Sequence, residues 1–261
     1  MKTIDWCAVV PVLVAVFAVP AETAAYQQKI NATHPAAVAK GTNAIVVQVE
    51  TPSRSADGKW SSKHYAPNIK DPQFKSVDIR VDAAAQVSSH SNTVAQLFFG
   101  SRRSIARGID TAYIFHAGSW LGRLSRWDLD PEHVSELFPG SVVNHSHVAK
   151  PPISGKLLRR ADYSALSNNV LHVAGVRRGG PGDPIMAGGY NSLVVGGAMK
   201  NIETPYPVID ELYGEGRTRP HVVGPYPNAS AAAPIAAAAA VRLNALAADK
   251  ALVFPTTSRH G

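Results

Sequence analysis

Six short apolar runs, most of them bounded by Gly, Pro or Asn and separated by stretches of different periodicity, limit this chain more than any other feature. The runs are NAIVVQVE (43–50), SVDIRV (76–81), TAYIFHA (111–117), SVVNHSH (141–147), VLHVAGV (170–176) and SLVVGGA (192–198). Their brevity and β-branched content predict buried strands. Three intervening segments carry apolar residues at helical spacing instead: 91–99 with Val94, Leu97 and Phe98 on one face, 131–138 opening on Pro131, and 157–167 around Leu157, Leu158, Ala161 and Leu166. Strands alternating with helices predict an α/β fold of three αβα layers, with a mainly parallel central sheet covered on both faces. The stretch NASAAAPIAAAAAVRLNAL (228–246) adds a helix that is apolar all round from Ala231 to Val241 and is therefore expected to run buried through the domain. Pro234 is expected in its first turn, where a missing N–H leaves no helical bond unmade.

With 45% apolar and 17% charged residues over 261 positions, the chain suits one large globular domain and not a disordered one. Residues 1–25 combine a basic start, an apolar run from Trp6 to Val19 and small residues near Ala25. That is the pattern of a secretory signal, and it predicts a secreted or periplasmic protein with no stable membrane association once the signal is removed. The run is short for a membrane span, although Asp5 is unusual so early and leaves an uncleaved anchor as the alternative. The organisation is then a signal (1–25), a short N-terminal segment (26–42), a domain (43–250) and a tail (251–261). Cys7, the only cysteine, falls inside the signal, so the expected mature chain has no disulfide and no thiol chemistry. The net charge of +7 is scattered, with SRR and KLLRR its only small clusters, which argues against a nucleic-acid site.

Reactive groups in open α/β sheets gather beyond the carboxyl ends of the strands, and that rule singles out Glu50 at the end of AIVVQVE. His90, in SSHSNTVAQLFFG, is expected in the first turn of a helix, where the positive end of the dipole disfavours imidazolium and keeps the ring available as a base. Ser230 stands at the start of the alanine helix, with N–H groups directed at any anion that forms beside its hydroxyl. Each has a plainer reading: His90 as a surface histidine, Ser230 as a helix cap. Acid, base and nucleophile nevertheless follow one another in the order of one known nucleophilic triad.

The motifs around these residues resemble those of the subtilisin-like serine peptidases, the subtilase family, over about residues 40–247. The family's Gly-Thr-Ser-x-Ala-x-Pro motif is similar to Asn228-Ala229-Ser230-Ala231-Ala232-Ala233-Pro234, preceded by a lead-in, GRTRPHVVGP. Its His-Gly-Thr-His-Val-Ala-Gly corresponds to His90-Ser91-Asn92-Thr93-Val94-Ala95-Gln96. SIARGIDTAYIFHA resembles its gvAPgA loop and following strand, and SVVNHSH its Val-Ile-Asn-x-Ser-x-Gly strand. The resemblance implies a subtilisin-like fold and a secreted serine endopeptidase, acting through Glu50, His90 and Ser230 and an acyl-enzyme. Asn144, His145, Ser146 and His147 would line the peptide cleft by pairing with an extended substrate backbone. The expected partner is a protein or peptide substrate and the expected state a monomer. No cofactor is expected; the resemblance admits structural calcium, but the sequence assigns no residues to it.

The departures from that pattern are specific. Glu50 stands where the family has Asp, one methylene longer. Val176, in HVAGVRRGG, stands where the family's asparagine completes the oxyanion hole, a donor whose removal in subtilisin lowers kcat about 10²–10³-fold. Ser91 and Asn228 replace Gly, and Ala229 replaces Thr. The alternative function is therefore a catalytically weak or inactive protein of this fold that binds extended peptides. A metal hydrolase using His145 and His147 lacks partners at ligand spacing, since His116, His133, His172 and His221 form no motif. An α/β-hydrolase would need Gly-x-Ser-x-Gly, which AGSWLG around Ser119 does not supply.

Overall fold

The computed structural model describes residues 42–55, 57–81, 85–106, 108–125, 140–149, 155–176, 183–184, 186–197, 219–224 and 229–248. The signal, the tail, Asn228 and the helix expected at 131–138 lie outside the described residues.

All six expected strands form. They are β1 (Thr42–Glu50), β3 (Asp78–Val81), β5 (Ile109–His116), β6 (Val142–His145), β8 (Leu171–Gly175) and β10 (Ser192–Gly197). A short strand absent from the sequence reading, β11 (Val222–Gly224), joins them. The sheet runs β11-β10-β8-β6-β1-β5-β3, and every pairing in it is parallel. β6, β8 and β10 are buried along their length, but β3 is an edge strand whose residues alternate between exposed and half-buried, not the fully buried element its composition suggested. Two two-stranded pieces lie outside the main sheet: β2 (His64–Ala66) with β4 (Gln86–Val87), and β7 (Val148–Ala149) with β9 (Asp183–Pro184).

Helices cover both faces. On one face lie α1 (Ser89–Phe98) and α4 (Ala229–Ala248), packed on each other; on the other lie α2 (Ala117–Ser125) and α3 (Gly155–Asn168). Successive strand residues point to opposite faces, so each strand feeds both cores. Val46, Ala112, Val142 and Leu193 enter the α1/α4 core, whereas Val47, Val49, Val143 and Val194 enter the α2/α3 core. The helix α2 follows β5 with no loop between them and was not anticipated, although Ala117, Trp120, Leu121 and Leu124 have helical spacing.

The alanine helix is buried as expected, with Ala232, Ala233, Ala236, Ala237, Ala238 and Ala240 fully enclosed. Small side chains on both partners let it approach the sheet closely. A Cβ added at Gly224 would lie 2.6 Å from the Cβ of Ala232, and one added at Gly175 would lie 2.9 Å from the carbonyl oxygen of Ala229. One expectation is corrected. The helix begins at Ala229, so Pro234 lies inside it and not in its first turn. Proline offers no N–H to the carbonyl four residues back, which here belongs to Ser230.

Candidate active site

The position of Glu50 follows from strand parity. Val47 and Val49 point into the α2/α3 core, so Gln48 and Glu50 point towards α1. Glu50 is fully buried at the end of β1. His90, the second residue of α1, is half-buried and places Nε2 3.4 Å from Glu50 Oε2, an ion-pair distance longer than a good hydrogen bond. The same nitrogen lies 3.1 Å from the carbonyl oxygen of Ser146. A carbonyl only accepts, so Nε2 carries the hydrogen and the other ring nitrogen holds the lone pair.

Ser146 follows β6, which runs beside β1 with His145 opposite Val49 and, on its other side, Ala174 of β8. Close contact with Gly175 sets the first residue of α4 against the end of β8. The carboxyl ends of β1, β6 and β8 thus form one rim holding Glu50, Ser146, Val176 and the start of α4. Ser230 is the second residue of α4 and is half-buried; as a helical residue it is not the N-cap. Glu50 and His90 are in contact, whereas among the described residues no hydrogen bond joins Ser230 Oγ to His90.

Other expectations need correction. Asn144 and His145 do not border an open edge, because β6 is an interior strand paired on both sides. Asn144 is fully buried and donates from Nδ2 to Ser146 Oγ at 2.9 Å. His145 points into the opposite layer, where its Nε2 lies 3.1 Å from His172 Nδ1 and its ring meets Trp120 edge-on. Beyond β6 the chain leaves the sheet at Ser146 and His147, and the latter is buried with Nδ1 donating to the carbonyl of Val49 at 2.8 Å. Val176 is buried in the α2/α3 core and spends its N–H on the carbonyl of Val195 at 2.8 Å, so neither its side chain nor its amide is a donor at the rim. Among the described residues no group of three or more His, Cys, Asp or Glu side chains converges as a metal site requires.

One residue that the sequence reading passed over, Gln48, completes the acid's surroundings. Gln48 Nε2 lies 3.1 Å from Glu50 Oε1, 3.0 Å from the carbonyl oxygen of Ser91 and 2.9 Å from Ser91 Oγ. The signal for Gln48 was present, since it is the only polar residue in AIVVQV and stands two before the acid, on the same strand face.

Burial governs the electrostatics. It pushes the Glu50 carboxyl well above the ordinary carboxylate range, against the opposing pull of the Gln48 amide. Burial also lowers the His90 imidazole, partly offset by the Ser146 carbonyl that accepts from it. His147 is lowered to about 4, again chiefly by burial. Near neutral pH His90 is thus a neutral imidazole, the form in which it can accept a proton.

No family model matches the sequence, and no curated protein matches it. Solved structures do. The PatG macrocyclase in complex with peptide aligns with a TM-score of 0.60 at 12% identity, over 91% of this chain and 86% of that one. The prenylagaramide maturation protease PagA aligns with a TM-score of 0.57 at 16% identity, over 87% and 83%. The self-cleaved protease domain of PatA gives 0.52 at 19%, over 81% and 83%. At such identities the likeness establishes the fold: this chain has the subtilisin-like α/β architecture.

Proposed function

We propose that this chain is a secreted serine endopeptidase in which Ser230 attacks a peptide carbonyl, His90 takes and later returns the proton, and Glu50 orients His90 and stabilises its charged form. The observation that carries the reading is the Glu50–His90 contact at 3.4 Å, on the sheet rim where α4 starts, with Ser230 its second residue. The Nε2 hydrogen of His90 is engaged by Ser146 and Glu50, which leaves the second ring nitrogen to receive the hydroxyl proton. The oxyanion would be met at the start of α4, where the helix presents the positive end of its dipole. A peptide substrate agrees with the peptide bound to the PatG macrocyclase. Export through residues 1–25 belongs to the same proposal.

A second reading, a peptide-binding protein of this fold without turnover, is favoured by two features. No hydrogen bond links Ser230 to His90 among the described residues, and Val176 supplies no oxyanion donor. A fluorophosphonate probe separates the two. An activated Ser230 is expected to label and to lose labelling on His90→Ala. A Ser230 that stays unlabelled in the folded wild-type protein removes the enzyme and leaves the binding protein.

A further inference from the structure

A glutamine amide buried within an apolar strand needs a reason, because each unpaired polar atom there carries a desolvation penalty. Gln48 is fully buried, and its Oε1 has no partner among the described residues. Its Nε2 is the engaged end. The carbonyl oxygen of Ser91, 3.0 Å away, can only accept, which fixes the orientation of the amide. One N–H therefore goes to that carbonyl, and the other is shared between Glu50 Oε1 at 3.1 Å and Ser91 Oγ at 2.9 Å. Ser91 is the residue after His90, and its own N–H donates to Ser88 Oγ, the cap of α1. A single amide thus ties the acid on β1 to the helical turn that carries the base.

We propose that Gln48 is a positioning residue for the acid–base pair: by holding Glu50 Oε1 and the first turn of α1 in one register, it lets a glutamate serve where the resemblance has an aspartate. The inference rests on the hydrolase reading of Glu50, His90 and Ser230. It accounts for two departures together, since the longer acid and the serine in the family's glycine place are two of the groups Gln48 binds. A carboxylate oxygen that accepts from a buried N–H is also favoured in its ionised form, the form that supports an imidazolium. The titratable groups around Glu50 are His90 on α1, His116 opposite it on β5, and His147 beyond β6.

The test uses the full chain and two substitutions, read by the fluorophosphonate labelling rate of Ser230 against pH, by NMR titration of the Glu50 carboxyl and by the urea midpoint. Gln48→Met keeps the length and removes the donor. Its labelling plateau is expected to fall at least about tenfold, and the acid limb to move to higher pH, because the pair releases its last proton from the carboxyl less readily. Ser91→Ala leaves the Ser91 carbonyl in place and releases the shared N–H to Glu50. Its acid limb is expected to move the opposite way. A packing role alone would lower the urea midpoint and leave both limbs in place, and that result overturns the proposal. If wild-type Ser230 never labels, the hydrolase reading fails by itself. The carboxyl titration then decides for Gln48: an upward move in Gln48→Met supports its hold on Glu50, and an unmoved one ends it. Should Gln48→Met not fold, an upward or absent shift in Ser91→Ala overturns the proposal.

Discussion

A carboxyl group sealed from water can support a charged imidazole only if something keeps it ionised and aimed. Glu50 has one oxygen toward His90 and the other toward Gln48, so its reach is matched to both neighbours at once. Shortening it to the residue the resemblance prefers is therefore expected to harm, not help. Glu50→Asp draws the carboxylate back by roughly 1 Å, enough to lower the labelling rate of Ser230 about 10²-fold when the acid no longer meets the base. The urea midpoint shows whether the variant remains folded, and labelling at the wild-type rate would mean that the extra methylene has no part in the geometry. His90 is governed by the same burial, which keeps its ring neutral until a proton is delivered.

At the scale of elements, the approach of α4 to the sheet decides where Ser230 lies. Gly224 faces the second turn of the helix at Ala232, and Gly175 faces its first residue at Ala229. Gly224→Ala is expected to push α4 off the sheet and destabilise the protein by about 1–3 kcal/mol, read in urea unfolding. Gly175→Ala, whose Cβ meets backbone at 2.9 Å, is expected to shift the helix start as well. It should slow Ser230 labelling by more than its unfolded fraction explains; equal slowing in both variants would refute that distinction. Most strands were legible because apolar, β-branched runs leave few other options, and the alanine helix because Ala231 to Val241 carries no polar side chain. Sheet order was not legible, since alternation says which face a residue takes but not which strand lies beside it. That is why Asn144 and His145 read as lining a peptide cleft, whereas β1 and β8 take both sides of their strand. Glu50 and His90 came together as the strand-end rule and the helix start implied, whereas Gln48 needed coordinates, because a lone amide in a strand does not announce its acceptor.

For the molecule as a whole, the parallel sheet separates two cores, and the α2/α3 side encloses a histidine cluster that the proposed chemistry does not use. His145 faces His172, His172 Nε2 lies 3.3 Å from Ser164 Oγ, and Trp120 meets both imidazoles edge-on. Burial lowers His172 to about 4 and His145 well below its usual value, the nearby His172 and His147 adding to the latter; His147 is lowered to about 4. A histidine depressed in the folded state from an unfolded value near 6.5 contributes stability that is present above pH 6.5 and is lost as pH falls toward its folded value. For His147 and His172 the window is pH 6.5 down to about 4. At pH 5 the loss is on the order of 2 kcal/mol for each. Glu50 has the opposite sign: its raised carboxyl favours the folded state at low pH, and that contribution fades as pH rises. Three deeply buried imidazoles outweigh one carboxyl, so the urea midpoint is expected to fall steadily from pH 7 to pH 5. His172→Gln keeps a polar group beside Ser164 and His145 and is expected to make that fall shallower by nearly one proton. A midpoint constant across this range in the wild-type chain would mean that the buried histidines take up protons in the folded chain as readily as in the unfolded one, and that burial does not set their titration.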